Sequence, residues 1–565
     1  MTSQLQTVKK PGTISYTLPK INEGEEVHAV TTSVCPYCYT VLPAVIVERD
    51  GKVYIRRVCP EHGEIEELYY GDVEFYKRVT KYYDEGRGAR HIYTKVSTVC
   101  PFNCGLCPMH KNHSALINMV VTNRCDLSCW YCFFYSEAAG YVYEPTIDQI
   151  REMVRNIKKQ GVTVAIQLTG GEPLLRDDLL DIVKILREEG VRHIQLNTNG
   201  IRFAQLYMEE PAKAIEFARS LRSAGVNTVY LSFDGVSPTT NWKNHWEVPY
   251  IFETFRKAGM TSVVLVPTVI KGVNTHELGQ IVRFAAKNID IVRAVNFQPV
   301  SLTGYMKRFE REKYRITIPE VAKLIEEQTE GQVPRDAWFP VNVSAVFSRF
   351  VEGFSGEFKF EMANHPICGV GTYVYVEKKG GDIRLVPITS FVDVEGLLEY
   401  LRDKWEDLVG GSSRIMTGLR LLYSIRKFID GEKSPEGFDL YKLLFNIIVK
   451  RSYEALGELH YKLLFLGQMH FMDLYNYDIQ RVQRCNIHYS TPDGRLIPFC
   501  AYNIFDDIYR DAVLKKYSVS LEDYSAKYNL PKGQVSVKYV RDRKRLESTE
   551  LYKLTYDGFV NFEKA

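Results

Sequence analysis

The sequence predicts an α/β protein built on a partial (β/α)6 barrel, with an N-terminal ribbon-like domain and a helical, cysteine-bearing C-terminal region. Two observations lead to this prediction. Six apolar runs alternate with amphipathic stretches between residues 116 and 303, and nine of the 12 cysteines fall in tight groups. Parallel strands that are buried on both faces are almost continuously apolar, so the alternation indicates βαβ units joined by right-handed crossovers.

The six predicted strands cover residues 117–123, 162–168, 193–199, 227–233, 262–268 and 292–300. Thr146 and Gln149 predict a capping box at the start of the first helix, and Gly161 predicts its end. Further glycines mark where later helices should end, at positions 190, 225 and 259. In a barrel of this kind, the functional groups belong at the carboxyl ends of the strands.

Composition excludes several classes of protein. With 565 residues, 45% hydrophobic and 25% charged, the chain is typical of a multidomain globular protein. Its 72 basic and 69 acidic residues give a net charge of only +3, so we expect no nucleic-acid partner. The densest apolar stretch, 443–449, is far shorter than the roughly 18 residues of a membrane span. The first residues lack the apolar core of a signal peptide, so we expect a cytoplasmic protein with reduced thiols.

We predict five segments along the chain. They are a ribbon-like domain (1–95), an auxiliary cysteine segment (96–115), the partial barrel (116–303), a helix-rich region (304–480) and a cysteine-bearing region with a tail (481–565). Helical candidates in the fourth segment span 417–430 and 438–467. The simplest interpretation of their apolar stripes is that they pack into the core. Alternatively, the stripes could line a tunnel for a long hydrocarbon or enter a membrane interface. The basic run 539–547 is expected to be a solvated face.

Tight groups of thiols indicate metal ligation, because core cysteines would be spread along the chain. Thiolates suit zinc and iron–sulfur sites, and an inert core thiol is a plausible alternative for Cys368 alone. The groups are Cys35, Cys38 and Cys59; Cys100, Cys104 and Cys107; Cys125, Cys129 and Cys132; and the scattered Cys368, Cys485 and Cys500.

The first group lies in CPYC (35–38) and CPEHG (59–63) on a strand-rich stretch. Two short cysteine turns of this kind form a ribbon or rubredoxin-like knuckle. His62 stands where the last ligand of such a site belongs, although it could instead be a surface histidine. The set suits either zinc or a mononuclear iron.

The third group forms a Cys-x3-Cys-x2-Cys loop, Cys125 to Cys132, directly after the first strand. Three thiolates hold a cubane cluster and leave one iron open. After the second strand comes TGGEPLL (169–175), where Gly170 and Gly171 allow a close backbone approach and Glu172 offers a carboxylate to an ammonium group. Polar side chains that suit ribose and amino-acid groups follow the next two strands, at Asn199, Ser232 and Asp234.

The cysteine loop after the first strand, followed by GGEP after the second, makes residues 116–303 resemble the radical S-adenosylmethionine (SAM) superfamily. The resemblance implies that Cys125, Cys129 and Cys132 hold a [4Fe–4S] cluster whose open iron chelates SAM. It assigns Gly170, Gly171 and Glu172 to the methionine amino group and the Tyr131 backbone to the adenine. It assigns Asn199, Ser232 and Asp234 to ribose or carboxylate. The implied chemistry is hydrogen abstraction from an unactivated carbon by a 5′-deoxyadenosyl radical.

The second group, in CPFNCGLC (100–107), repeats the spacing of the barrel loop. It follows no buried strand, and Leu106 stands where the barrel loop has an aromatic residue. We therefore predict an auxiliary cluster with His110 as a candidate fourth ligand, whereas His113 is expected to be solvated. Towards the C-terminus, a predicted hairpin around 492–494 brings Cys485 and Cys500 together. Cys368 could complete this third site, and either His488 or an open iron is allowed as its fourth position.

The motifs CPYC…CPEHG, CPFNCGLCPMHKNHSALI and HFMDLYNYD…HYSTPDGRLIPFC also resemble those of archaeal tetraether lipid synthases, over most of the chain. This resemblance implies a C–C coupling enzyme that joins phytanyl chain termini of archaeal diether membrane lipids. It also implies about three [4Fe–4S] clusters and a mononuclear iron. We further expect an electron donor such as ferredoxin or flavodoxin, and a cytoplasmic protein that could associate peripherally with the inner face of the membrane.

Two other functions compete with lipid coupling. One is a radical SAM enzyme with another outcome, such as methylation of a pterin-type substrate or mid-chain bridging of lipids. The other is a zinc-ribbon scaffold that binds nucleic acid, which the near-neutral charge and the GGEP motif disfavour. The cysteine count leaves a constraint: beyond the SAM cluster, nine thiols serve three four-ligand sites, so histidines or open positions must supply three ligands.

Overall fold

The computed structural model describes residues 9–134, 140–306, 310–436, 438, 461–531, 535 and 538–561. An antiparallel sheet of four strands in chain order begins the fold. Its strands are β1 Glu26–Val34, β2 Val41–Arg49, β3 Lys52–Cys59 and β4 Gly63–Tyr70. Cys35 and Cys38 lie in the turn after β1, and Cys59 and His62 lie at the turn between β3 and β4. The ribbon-like prediction is therefore confirmed for this part of the chain.

The partial barrel is also confirmed. Its strands are β5 Leu116–Thr122, β7 Ala165–Gly170, β8 His193–Thr198, β9 Val226–Ser232, β10 Val263–Val266 and β12 Val292–Pro299, with short strands β6 Tyr141–Val142 and β11 Thr268–Val269 between them. Neighbouring barrel strands pair in parallel in the order β5-β7-β8-β9-β10-β12. The predicted strands agree with the observed ones to within three residues.

Helices cover the outside of the barrel. They span Ile147–Lys158, Leu179–Glu188, Ile201–Glu209, Pro211–Ala224, Val248–Ala258 and Leu278–Lys287. Thr146 and Gln149 form the predicted capping box, because each side chain bonds the backbone N–H of the other residue. The apolar faces of the helices and strands meet in one large core, in which residues such as Ile150, Leu168 and Leu231 are buried.

The C-terminal region extends the sheet, which sequence reasoning did not predict. Its strands are β13 Phe339–Pro340, β14 Gly369–Lys379, β15 Asp382–Pro387, β16 Leu463–Met469, β17 Ile487–Ser490, β18 Leu496–Pro498 and β19 Val519–Ser520. β16 pairs in parallel with β12, and β17 pairs in parallel with β5, so both edges of the barrel are extended. Residues 463–467, predicted to end a helix, are strand because their alternate side chains Leu464 and Leu466 enter the core.

The remaining helices span Val73–Thr80, Arg311–Tyr314, Ile318–Gln328, Ser344–Ser355, Val394–Val409, Arg414–Ser424, Ile479–Gln483, Phe499–Ile504, Arg510–Lys516, Leu521–Lys527, Arg543–Glu547 and Glu550–Tyr556. The helix predicted at 417–430 corresponds to Arg414–Ser424 and a 3-10 turn, Ile425–Phe428. Leu422 and Ile425 of its stripe are buried, whereas Leu419 is 55% exposed. Most of the predicted helix 438–467 lies outside the described residues.

The C-terminal tail packs against the barrel rather than forming only a solvated face. Leu546, Tyr552 and Tyr556 are at most 4% exposed and belong to the main core. The basic residue Arg541 pairs with the fully buried Glu247, 2.6 Å away. The prediction of a solvated basic run was wrong at this position, because a charge pattern does not reveal a buried partner that lies far away in sequence.

Candidate functional site

Three thiols lie together at the carboxyl end of the first barrel strand. Cys125, Cys129 and Cys132 line one cavity, and all three are half-buried. Burial raises the pKa of Cys129 to about 12 and that of Cys125 well above its usual value. Thiols in such a position need a bound cation to be held as thiolates, which is what an iron cluster provides. The donor set therefore fits a cluster ligated by three cysteines.

The two glycines after β7 allow this strand end to approach the cysteine loop. A Cβ on Gly171 would lie 2.0 Å from the Arg124 carbonyl oxygen, and one on Gly170 would lie 2.0 Å from that of Thr122. The N–H groups of Gly171 and Glu172 donate to these carbonyls at 2.8 and 2.7 Å. The glycines thus fix the start of the cysteine loop as well as lining the cavity.

Glu172 is held by the loop that follows the third barrel strand. Its carboxylate accepts hydrogen bonds from the Thr198 hydroxyl at 2.6 Å, the Asn199 N–H at 2.7 Å and the Leu174 N–H at 3.0 Å. Burial, followed by the nearby Asp126 carboxylate, raises the pKa of Glu172 to about 8. A bound ammonium group would favour the charged carboxylate, as the predicted contact with the methionine amino group requires.

Asn199 is already engaged by the chain. Its Nδ2 donates to Asp126 at 2.7 Å, and its Oδ1 accepts from the Ile201 N–H at 2.9 Å. Both side-chain atoms therefore serve to hold the cysteine loop against the third strand end. Ser232 lines the cavity at the fourth strand end, and its carbonyl accepts from Asn244 at 2.8 Å.

Asp234 also has protein partners. Its Oδ2 lies 3.0 Å from the Lys243 ammonium and accepts from the Tyr131 hydroxyl, while its Oδ1 accepts from the Thr268 N–H at 2.9 Å. Asp234 is absent from the lining of the cavity, whereas Tyr131 and Lys243 line it. Lys243 is thus a site residue that sequence reasoning missed, because no motif marks a lysine held by a distant carboxylate.

The opposite wall of the cavity comes from the C-terminal region. Phe471, Phe499 and Asn503 line it, together with Met472 and Cys500. The rings of Phe471 and Phe499 stack with centroids 4.0 Å apart. Asn503 is 4% exposed, its Nδ2 donates to the Phe499 carbonyl, and its Oδ1 has no hydrogen-bond partner. This wall offers an aromatic surface to whatever enters the cavity, with the Asn503 amide packed beside it.

A second cavity contains the auxiliary group. Cys100, Cys104 and Cys107 line it together with His110. His110 already contacts the Cys485 carbonyl at 2.8 Å and the His488 ring at 3.2 Å, so His488 lies beside His110. His113 is fully buried rather than solvated. Its ring accepts a hydrogen bond from the Glu361 N–H at 3.2 Å.

The hairpin of β17 and β18 brings Cys485 and Cys500 to neighbouring positions, as predicted, with His488 opposite Pro498. Burial raises the pKa of Cys485 to about 12, and the nearby Cys368 thiol adds to this rise. The Arg481 guanidinium donates to the Cys368 sulfur at 3.3 Å. Cys368 therefore has a charged hydrogen-bond partner rather than only apolar neighbours.

The ribbon brings together four ligand atoms. Those of Cys35, Cys38, Cys59 and His62 all lie within 4.8 Å of one another, and His62 Nδ1 lies 3.4 Å from the Cys59 sulfur. So close a set suits one tetrahedral ion, whereas cluster thiolates bind different irons and stand further apart. Across the described part of the chain, Glu26, His28 and Glu48 form the one other such group.

Comparison with known proteins identifies the chain. A family model for the radical SAM superfamily matches residues 119–285, and one for the HMPTM N-terminal zinc ribbon domain matches residues 27–71. A 7,8-dihydro-6-hydroxymethylpterin dimethyltransferase of Methanocaldococcus jannaschii is 42% identical, over 88% of this chain and 97% of that protein. The chain belongs to the radical SAM superfamily. Within the superfamily, it is a member of this relative's family.

More distant relatives match the barrel region. A GTP 3′,8-cyclase of Marinobacter nauticus is 31% identical over 31% of this radical SAM protein and 52% of the cyclase. Among solved structures, Streptococcus suis SuiB bound to S-adenosylmethionine is 18% identical, with a TM-score of 0.31 over 39% of this chain and 48% of SuiB. This structural similarity is too low to indicate a shared substrate.

Membership of the superfamily establishes SAM and a [4Fe–4S] cluster as cofactors, with additional metal in the ribbon, and it implies a need for an electron donor. It also corrects one prediction. The relative that matches nearly the whole chain is a pterin dimethyltransferase, so the prediction of a tetraether lipid synthase and its lipid substrate was wrong. Every helix in the described ranges is too short or too polar to cross a membrane.

Proposed function

We propose that this chain is a radical SAM methyltransferase that acts on a reduced pterin carrying a hydroxymethyl group. The observation that carries the proposal is the 42% identity to a dimethyltransferase of such a pterin over 88% of the chain. A match over 88% of this chain extends well beyond the barrel, which spans residues 116–303, and it covers 97% of that protein.

The proposed cofactor side of the cavity is formed by the barrel. Cys125, Cys129 and Cys132 would hold the [4Fe–4S] cluster, and Gly170, Gly171 and Glu172 would face the methionine end of SAM. When bound, cluster and SAM supply one-electron cleavage of the sulfonium to a radical that abstracts hydrogen from carbon. The chain orients SAM and surrounds the site with Phe133, Phe134 and Phe499, which limit the entry of water.

The proposed substrate side is formed by the C-terminal region. A pterin is flat and aromatic, with donors and acceptors along its pyrimidine edge. The stacked rings of Phe471 and Phe499 offer it an aromatic surface, and the Asn503 amide lies on the same wall. Gln298 and Thr303 supply further polar groups on the same cavity. Few polar groups on an apolar wall are typical of a small-molecule site.

The other thiols complete the proposal. Cys100, Cys104 and Cys107 would hold an auxiliary cluster, and Cys368, Cys485 and Cys500 a third, with Cys500 facing the same cavity as the SAM cluster. Cys35, Cys38, Cys59 and His62 would hold one zinc ion, which the match to a zinc ribbon model favours over the iron of a rubredoxin-like site.

The test is anaerobic incubation of the reconstituted enzyme with SAM, a reductant and 7,8-dihydro-6-hydroxymethylpterin. We expect 5′-deoxyadenosine and a pterin that has gained the mass of one or two methyl groups. Cys129→Ala should abolish both products, because it removes a cluster ligand. Asn503→Leu should raise the KM for the pterin and leave SAM cleavage without pterin unchanged. SAM cleavage with an unmodified pterin would overturn the proposed substrate and leave the radical SAM assignment intact.

A further inference from the structure

A short C-terminal segment crosses the outside of the cysteine loop. Residues 538–541, which we name the strap, lie more than 400 positions after Cys125 in sequence. They contact the loop that carries the three cavity thiols at one end and the segment that carries Lys243 at the other. The cysteine loop and the GGEP motif are complete without this segment, so its contacts add a further support to the loop.

The strap binds three successive carbonyl groups of the loop. The Lys538 ammonium donates to the Cys125 carbonyl at 3.0 Å and to the Leu127 carbonyl at 3.1 Å. The Tyr539 N–H donates to the Asp126 carbonyl, between them, at 3.0 Å. Hydrogen bonds from a charged donor are about twice as strong as neutral ones, so the loop backbone is held firmly from outside.

The peptide group between Asp126 and Leu127 connects these contacts to the Cys125 thiol. In a trans peptide the carbonyl of Asp126 and the N–H of Leu127 point in opposite directions. The carbonyl faces the strap, while the Leu127 backbone hydrogen-bonds the Cys125 sulfur. A peptide that accepts at one end donates more strongly at the other. Hydrogen bonds to cluster sulfurs are among the factors that set a cluster's reduction potential.

The far end of the strap is anchored in the barrel. Arg541 donates to both carboxylate oxygens of Glu247, at 2.6 and 3.0 Å, and to the Lys243 carbonyl at 2.7 Å. Glu247 is fully buried, and the helices that follow the strap enter the main core. The strap therefore joins two walls of the cavity, the cysteine loop and the segment of Lys243, through a rigid attachment.

We propose that the strap is a positioning element that sets the reduction potential of the SAM cluster, with Lys538 as its principal residue. The inference rests on the proposed assignment of Cys125, Cys129 and Cys132 to that cluster. A reduced cluster carries one more negative charge than the oxidised one, so the nearby ammonium favours reduction. Lys538 acts through the loop backbone and touches no substrate.

The experiment measures the midpoint potential of the cluster by redox titration followed by electron paramagnetic resonance. The signal used is the one that changes when SAM is added, since this distinguishes the SAM cluster from the auxiliary ones. Lys538→Met should shift the potential to more negative values and lower the iron bound per chain. Lys538→Arg keeps the charge and the donors and should restore the wild-type values. Lys544→Met, at an exposed lysine three residues after the strap, is the matched control.

A Lys538→Met protein with the potential and iron content of the wild type would overturn the inference, and so would an equal shift in Lys544→Met. If Lys538→Met does not fold, as judged by its thermal unfolding, Lys538→Gln takes its place and should give a smaller shift in the same direction. Absence of a SAM-responsive signal in the wild type would overturn the cluster assignment and this inference with it. An intact signal without pterin methylation would overturn only the proposed substrate.

Discussion

The Lys243 ammonium lies 3.0 Å from the Asp234 carboxylate, with side-chain exposures of 11% and 3%. The same carboxylate oxygen accepts from the Tyr131 hydroxyl, and the ammonium lies 4.8 Å from the centre of the Tyr131 ring. The pair therefore connects the fourth strand end to the aromatic residue that precedes the last cysteine of the loop. It supports the cavity wall, whereas the sequence had suggested a direct contact of Asp234 with cofactor.

Removing one partner of this pair leaves a buried charge without its counterpart. We expect Lys243→Met to lower the free energy of unfolding by about 3 kcal/mol, the usual cost of breaking a buried ion pair from one side. Denaturant unfolding of the metal-free protein measures this. Lys257→Met is the matched control, since Lys257 pairs with Glu253 on the surface and is 62% exposed. It should change stability by less than about 0.5 kcal/mol.

The double variant separates lost pairing from lost packing. Lys243→Met with Asp234→Asn removes both charges, so it should recover part of the stability lost in Lys243→Met alone. Additive losses in the two single variants would contradict the pairing, because they would mean that the two side chains contribute independently.

Gly171 tests the close approach between the second strand end and the cysteine loop. A Cβ there would lie 2.0 Å from the Arg124 carbonyl oxygen, so Gly171→Ala must displace the loop backbone. We expect a loss of about 2 kcal/mol in unfolding free energy and a lower iron content after reconstitution. Gly431→Ala is the control, because nothing lies within 4 Å of its added Cβ. Wild-type iron content in Gly171→Ala would show that the loop tolerates the displacement.

The barrel was predictable because its signals are local. Thr146 and Gln149 stand three residues apart, and the cysteine loop follows the first strand within three residues, so pattern and spacing suffice. The same holds for the ribbon, where two turns carry all four candidate ligands. These parts of the fold and site are fixed by short-range sequence.

The unpredicted parts depend on contacts between distant positions. β16 is a strand because it pairs with β12 at the edge of the barrel. Its sequence taken alone fits a helix equally well. Lys243 belongs to the site through its contact with Asp234, and Lys538 through two backbone carbonyls of the cysteine loop. Neither contact leaves a pattern near the lysine in the sequence. Resemblance of motifs also indicated the wrong substrate, because cysteine spacing identifies metal ligands and not the molecule that reacts.

The ribbon should bind its metal independently of the clusters. Cys59→Ser removes one of four ligands that lie within 4.8 Å, so we expect the loss of about one zinc per chain with iron unchanged. Cys129→Ser is the matched variant and should lower iron with zinc unchanged. Elemental analysis of both proteins measures this. Iron loss in Cys59→Ser equal to that in Cys129→Ser would contradict separate sites.

Loss of the ribbon metal should also loosen one neighbouring segment. Thr31 and Tyr69 of the ribbon both donate to Asp478 at 2.6 Å, and Arg57 donates to the Leu474 carbonyl at 3.1 Å. Since the metal ties together the turns of the ribbon, Cys59→Ser should increase hydrogen exchange at 474–478. Protection unchanged at these residues would show that the ribbon holds its shape without metal.

His245 predicts how stability depends on pH. Its ring is fully buried, stacks on Tyr556 at 4.2 Å and contacts the Tyr552 hydroxyl at 2.8 Å. Burial lowers its pKa from 6.5 to about 3. Between these values the unfolded chain binds the proton and the folded chain does not, so stability falls as pH is lowered below 6.5.

His245→Gln removes this proton uptake, so the free energy of unfolding should depend less steeply on pH in the variant. Between pH 7 and pH 5, the wild type should lose up to about 2 kcal/mol more unfolding free energy than the variant, from 1.36 kcal/mol for each pH unit below the unfolded pKa. Denaturant unfolding at each pH measures the difference. His276→Gln, at a ring that is 65% exposed, is the control and should keep the wild-type slope. An equal slope in wild type and His245→Gln would mean that His245 is protonated in the folded protein or exposed by local opening near the C-terminal helices.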